Sequence, residues 1–128
     1  MNREAFETYI KDVYLIHYDC PWEDELDYHV FRHPDNQKWF ALVMDVKKRS
    51  IHIQEDGYIS IVNLKVSSDV IENLAFAPEP GFFPAYHMNK KHWISIALDG
   101  SVSKQTILHY LEMSYNLTKS KGRKKNEL

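Results

Sequence analysis

Residue types able to do chemistry crowd into one stretch, Pro84-Ala85-Tyr86-His87-Met88-Asn89-Lys90-Lys91-His92-Trp93-Ile94-Ser95-Ile96-Ala97-Leu98-Asp99-Gly100. Polar groups packed this closely before a strand must be hydrogen-bonded or used. His87, Ser95 and Asp99 are the residue types of a hydrolytic triad. Ser95 and Asp99 fall on one strand, however, about 13 Å apart at strand rise, which excludes a relay of nucleophile, base and acid. His29 and His33 lie four apart, the spacing of metal ligands on a helix. Their segment reads as strand and turn with no third ligand near, so no metal is expected. Asp19, Glu23, Asp24, Glu25 and Asp27 could do acid–base work or hold a hard cation. They lack the glycine and the spacing of a calcium loop and read as a solvated acidic loop anchored by Trp22. The chain has four glycines and no phosphate-cradling glycine loop, no Gly-x-Ser-x-Gly elbow, no His-Glu-x-x-His and no paired Cys-x-x-Cys. The expectation is a non-enzymatic protein without cofactor.

The basic residues suggest another chemistry. Clustered Lys and Arg displace counterions from nucleic-acid phosphates. Candidates are Arg32, Lys38, Lys65, Lys90 and Lys91, the turn Lys47-Lys48-Arg49, and Lys119, Lys121, Arg123, Lys124 and Lys125; His87 and Asn89 could hydrogen-bond phosphates or base edges. The charge is uneven. Residues 117–128 hold five bases and one acid, whereas residues 1–116 hold 11 bases and 17 acids. An acidic body repels DNA unless its bases segregate to one face, so binding to DNA should be weak and salt-sensitive. Cys20 is the single cysteine. It permits no intrachain disulfide, which suits a reducing compartment, and its acidic neighbours disfavour a thiolate. With no apolar leader and no apolar run of about 20 residues, a cytoplasmic protein making no membrane contact is expected.

The elements that must position these residues follow from periodicity. At 128 residues, 44% hydrophobic and 27% charged, the chain has the size and composition of one globular domain, assigned to residues 1–118, with 119–128 a basic disordered tail. Phe6, Tyr9, Ile10, Val13 and Ile16 predict a helix capped by Asn2 and ending near Tyr18. Tyr28–Arg32 and Lys38–Val46 predict a hairpin across His33-Pro34-Asp35-Asn36. The second strand is apolar on both faces and should be central. Ile51 and Ile53 alternate with His52 and Gln54 before the Asp56-Gly57 turn. Tyr58–Val66 is a further strand, with Val62, Leu64 and Val66 on one face and Ile59, Ile61, Asn63 and Lys65 on the other. Three to four such strands imply an antiparallel meander, one face of which can stay wet. Ser67-Ser68-Asp69 offers caps, with Asp69 and Glu72 a capping-box variant, for a short helix burying Val70, Ile71 and Leu74. Phe82 and Phe83 read as irregular, and His92–Leu98 as an alternating strand. Ser103 caps a last helix whose Ile107, Leu108, Leu111 and Tyr115 form one face, ending near Thr118. The fold class is α+β, an antiparallel sheet packed against N- and C-terminal helices.

The stretch 84–100, followed by Ser114-Tyr115, resembles the MmcQ/YjbR family. Pro21-Trp22, Val30-Phe31-Arg32, Lys38-Trp39-Phe40-Ala41 and Asn63-Leu64-Lys65 agree in order, so the likeness spans roughly residues 5–118. The resemblance implies a CyaY-like, double-wing architecture and the family's label of predicted DNA-binding protein. One departure is the connection Arg32-His33-Pro34-Asp35-Asn36-Gln37-Lys38, longer than the Gly-Lys turn of relatives.

Two other readings compete with DNA binding. The chain could be a protein- or small-ligand-binding module, using the acidic loop or an aromatic patch of Trp22, Phe82, Phe83, Tyr86 and Trp93. Alternatively, His87, Asn89 and Lys90 only brace the turn that launches the strand. Lys38, Lys65, Lys90 and Lys91 on a common surface would favour DNA.

Overall fold

The computed structural model describes residues 1–120. Its longest strand, the doubly apolar β2 (Trp39–Lys47), lies inside the sheet and pairs antiparallel with β1 (His29–Arg32) on one side and with β3 (Tyr58–Lys65) on the other. The chain then crosses through helix α2 (Ser68–Phe76) and the short strand β4 (Phe82–Pro84) before β5 (Trp93–Ala97) returns to pair with β3. β4 pairs with the free side of β5, so the all-antiparallel sheet has the order β1-β2-β3-β5-β4.

Side-chain alternation divides the core by sheet face. Val43, Val62, Leu64, Ile94 and Ile96 pack against Phe6 of α1 (Arg3–Tyr9), against Ile10 just beyond it, and against Ile107 and Leu111 of α3 (Lys104–Thr118). Leu42, Met44, Ile59, Ile61 and Ala97 form the opposite face, and loops cover it: Trp22, Ile51, Ile53, Tyr86 and Met88 lie on it. No face of the central strands stays wet, because the loops supply the apolar cover that a second helical layer would otherwise give.

Local chemistry explains the ends of the elements. The Asn2 side chain accepts from the Ala5 N–H and caps α1. The helix widens into a π-helical turn, Ile10–Tyr14, and Leu15 at φ 59° closes it. It therefore stops short of Tyr18, whose ring instead stacks on His29. Arg3 ties α1 to the sheet, binding Glu7 and Asp45 at 3.0 Å each and the Asp27 carbonyl. Burial pushes the Asp45 carboxyl up, but the Ser60 hydroxyl and the Arg3 guanidinium together hold it below its ordinary value. Ile51–Gln54 is not a strand. Lys48–Ile51 is a 3-10 turn closed by an Ile53 N–H to Lys48 carbonyl bond. The pairs Lys48–Glu55 and Arg49–Asp56 hold that loop. Ser67, not Asp69, occupies the N-cap position of α2. The edge strand β4 is too short, and too near Pro84, to show a period of two; a proline is tolerated there because the edge has no further partner. Ser103 accepts from the Thr106 N–H and caps α3 as expected. The basic residues beyond Ser120 lie outside the described residues.

Ser114 joins α3 to the sheet. The β2–β3 pairs run from Lys47↔Tyr58 to Leu42↔Asn63. Next to that last pair, the buried Ser114 hydroxyl accepts from the Lys65 N–H at 2.9 Å and donates to the Phe40 carbonyl at 2.6 Å. Ser114→Ala strands both backbone groups away from water, and urea denaturation should show a loss of about 2–3 kcal/mol. One turn on, Thr118 donates to the Ser114 carbonyl at 2.7 Å and accepts from buried His33 at 2.9 Å, which joins the β1–β2 turn to the end of α3. Burial lowers the His33 pKa, partly opposed by the Tyr115 carbonyl. The unfolded chain therefore binds the proton more readily than the folded one. His33 stabilises the fold above its ordinary pKa of about 6.5, and that stability is lost as pH falls below it. In thermal melts compared at about pH 7.5 and pH 5, His33→Gln should lower the melting temperature less on acidification than the parent; an equal fall would exclude this account.

Candidate nucleic-acid interface

Asn63 on β3 and Ser95 on β5 are directly paired across the ladder, and both are buried. Two buried polar side chains in a sheet need partners, and they find them in the turn that precedes β5. The Tyr86 N–H donates to Ser95 Oγ at 3.0 Å, the Ser95 hydroxyl donates to Asn63 Oδ1 at 2.5 Å, and Asn63 Nδ2 donates to the Tyr86 carbonyl at 2.8 Å. The three bonds close a ring that fixes the start of the turn. Asn89 fixes its end. Its Oδ1 accepts from the Lys91 N–H at 2.8 Å, and its carbonyl accepts from the N–H groups of His92 and Trp93. Between these anchors His87 is exposed and left-handed, at φ 61°, with its ring 3.9 Å from that of Tyr86. Much of the turn's polarity is thus structural. Ser95 bonds Asn63 rather than His87, and Asp99 bonds Ser101, so no triad forms.

The same turn delivers Lys90 and Lys91 to one end of the sheet. β3 ends there at Lys65, which pairs with Trp93, and antiparallel β2 begins there just after Lys38. α3 also finishes there, since Thr118 binds His33 and its carbonyl accepts from the Asn36 amide, bringing Lys119 beside the β1–β2 turn. Lys38, Lys65, Lys90, Lys91 and Lys119 form no ion pair among the described residues. All but half-buried Lys65 are exposed.

Of the other candidate bases among the described residues, Arg32, Lys48 and Arg49 are engaged and Lys47 is exposed and unpaired. Arg32 holds Asp19 through two bonds of 2.8 and 3.0 Å and lies 6.0 Å from the Trp39 ring centre. Its bond to Asp19 raises its pKa. Lys48 and Arg49 are paired with Glu55 and Asp56 at the opposite end of the sheet, where Lys47 faces Tyr58. Lys121, Arg123, Lys124 and Lys125 lie outside the described residues. His29 bonds Glu7 at 2.8 Å, and His33 is tied to Thr118.

Two clefts flank the lysine-bearing turn. One, of about 190 Å³, lies between α2 and the strands β4 and β5 and is lined by Ile71, Leu74, Phe82, Phe83 and Trp93. The other, of about 270 Å³, lies between Ser50-Ile51-His52 and Tyr86-His87. The aromatic patch is accordingly divided. Phe82, Phe83 and Trp93 share the first cleft, Tyr86 lines the second, and Trp22 packs edge-on against Tyr28 and Trp39 at 5.7 and 5.6 Å. The clefts are not legible in sequence, because β4 is too short to show a period and the alternation at 51–54 points to a strand where the chain forms a 3-10 turn and loop.

A family model described as YjbR matches residues 12–117. The chain belongs to the YjbR family. The uncharacterized protein YyaQ of Bacillus subtilis is 34% identical over 119 residues, 93% of this chain and 99% of that one. A Pseudomonas syringae crystal structure superposes with a TM-score of 0.89 at 42% identity, covering 93% of this chain and all of the other. Deinococcus radiodurans protein DR2400, with the domain name DUF419, gives a TM-score of 0.68 at 26% identity over 94% of this chain and 80% of its own. The YjbR sheet with its N- and C-terminal helices is the α+β fold expected from the sequence. Within it, the hydrogen-bonded ring is open to a direct test. Ser95→Ala leaves the Tyr86 N–H and Asn63 Oδ1 without a buried partner. Chemical denaturation should register a loss of about 2–3 kcal/mol, and hydrogen exchange at residues 86–91 should rise by more than the global loss accounts for.

Proposed function

We propose that this YjbR protein is a non-catalytic, cytoplasmic DNA-binding protein that meets the phosphate backbone with the lysine-bearing end of its sheet. One observation carries the reading: Lys38, Lys65, Lys90, Lys91 and Lys119, none of them in an ion pair among the described residues, share that end, while at the opposite end Lys48 and Arg49 are neutralised by Glu55 and Asp56 and Lys47 is unpaired. An acidic protein can approach a polyanion only when its bases segregate in this way. Lys38, Lys65, Lys90, Lys91 and Lys119 are positioned to displace counterions, a sequence-independent form of binding. Asn89 has its side-chain oxygen committed to Lys91, which leaves its amide protons to donate to phosphate. The acidic remainder of the body keeps affinity low. The single exposed thiol, Cys20, accords with a reducing compartment.

Fluorescence anisotropy with a labelled duplex, repeated across salt concentrations, tests the proposal. The slope of log K against log salt should weaken by about one unit for each of Lys65→Ala, Lys90→Ala and Lys91→Ala. Arg49→Ala, which removes a base already paired, should leave it unchanged. No binding at low salt, or a slope insensitive to the triple lysine variant together with truncation after Thr118, would refute it.

A further inference from the structure

The two clefts share three lining residues, Phe83, Pro84 and Lys90, and so adjoin at the end of β4 as two chambers. The chambers differ in chemistry. The chamber under α2 is apolar, floored by Phe82 and Trp93 and roofed by Ile71 and Leu74. That roof is half-docked: no residue of α2 is fully buried, and Phe76 at its end is 92% exposed. The second chamber presents Ser50, His52, His87 and Lys90, with no acidic residue among those lining it. Lys90 makes no ion pair, and the imidazoles of His52 and His87 accept or donate no hydrogen bond, among the described residues. Both histidines also hold the left-handed backbone, at φ 69° and 61°. Glycine or asparagine takes this conformation at less cost. At position 52 that conformation closes the Lys48–Ile51 turn, and at 87 it lies within the turn before β5, so each imidazole is held by a defined turn on one side of the chamber.

We propose that this site binds a small phosphate monoester with an aromatic or apolar body. Several convergent donors without a carboxylate suit a tetrahedral oxyanion. Its oxygens accept from the imidazole N–H groups of His52 and His87 and from the Lys90 ammonium. The body passes Pro84 into the apolar chamber, where Phe83 and Trp93 offer rings for packing. Glu79, on the α2 side, is the carboxylate lining the apolar chamber and lies outside the lining of the polar one. The site meets the DNA reading at Lys90 and at His87, also a candidate for phosphate contact, while Ser50 and His52 belong to it alone; only the lysines set the salt slope.

NMR titration of the full chain with phenyl phosphate, inorganic phosphate and phenol tests it. Phenyl phosphate should shift the His52 and His87 imidazole signals and the Trp93 indole signal together. It should bind about tenfold more tightly than either half alone, because both chambers fill at once. The double variant H52G/H87G, which keeps a residue suited to positive φ at both positions, should retain the parent's melting temperature and lose that tenfold. It should leave the salt slope for DNA intact, while Lys65→Ala should weaken DNA binding and leave phenyl phosphate binding unchanged. Phenyl phosphate binding no tighter than inorganic phosphate would overturn the proposal. So would a phenyl phosphate affinity unchanged in the double variant, or shifts confined to Trp93.

Discussion

The ring of hydrogen bonds joining Tyr86, Ser95 and Asn63 is the constraint on which the lysine-bearing end of the molecule depends. Asn63 and Ser95 sit opposite each other on neighbouring central strands, where water cannot reach them. Their only way to avoid an unpaired buried dipole is to hold both backbone groups of Tyr86. That demand pins a loop to the middle of the sheet. From there Asn89 directs the chain into β5 and sets Lys90 and Lys91 at its mouth. The polar character of the turn therefore has two origins. Some groups build it, and others, His87 and the lysines, are left facing outward by it.

A second polar insertion organises the same end from the other side of the sheet. The Ser114 hydroxyl bridges β2 and β3 next to their last paired residues, and Thr118 continues the connection to His33 and Asn36. The end of α3, the β1–β2 turn and the end of β3 become one surface. Because the strands are antiparallel, lysines far apart in sequence meet there, while Lys48 and Arg49 are carried to the opposite end, beside the acids that neutralise them. Net charge alone argues against a polyanion partner; the distribution of charge over the topology is what makes one physically reasonable.

Much of this was legible in the residues. The Asn2 and Ser103 caps, the spacing of Ile107 and Leu111, and the division of β3 into a Val62–Leu64 face and an Ile59–Ile61 face all depend on near neighbours in the chain, and the fold carries each as expected. Elements whose conformation depends on a distant partner were not legible. β4 is a strand because β5 offers an edge. The 48–53 segment coils because its apolar residues find the sheet face already formed and its charged ones find Glu55 and Asp56. The first helix ends at Leu15 although its apolar pattern runs on to Ile16. Arg32 looked like a free base until Asp19, thirteen residues before it, folded across β1 and bound it.

The sequence by itself determined the α+β class, the helices at either end, the place of β2 inside the sheet and the family to which the chain belongs, because periodicity and caps are local and the signature stretch is nearly contiguous. Only the tertiary structure decided which groups of that stretch the fold itself uses. Packing commits Ser95 and Asn89 to hydrogen bonds within the fold. Antiparallel pairing sorts the lysines from the neutralised bases. The meeting of β4, α2 and the 48–53 loop makes clefts from residues whose own segments show no sign of them. Each of these depends on which groups are brought within hydrogen-bond or Coulomb range, and that range is a property of the folded chain.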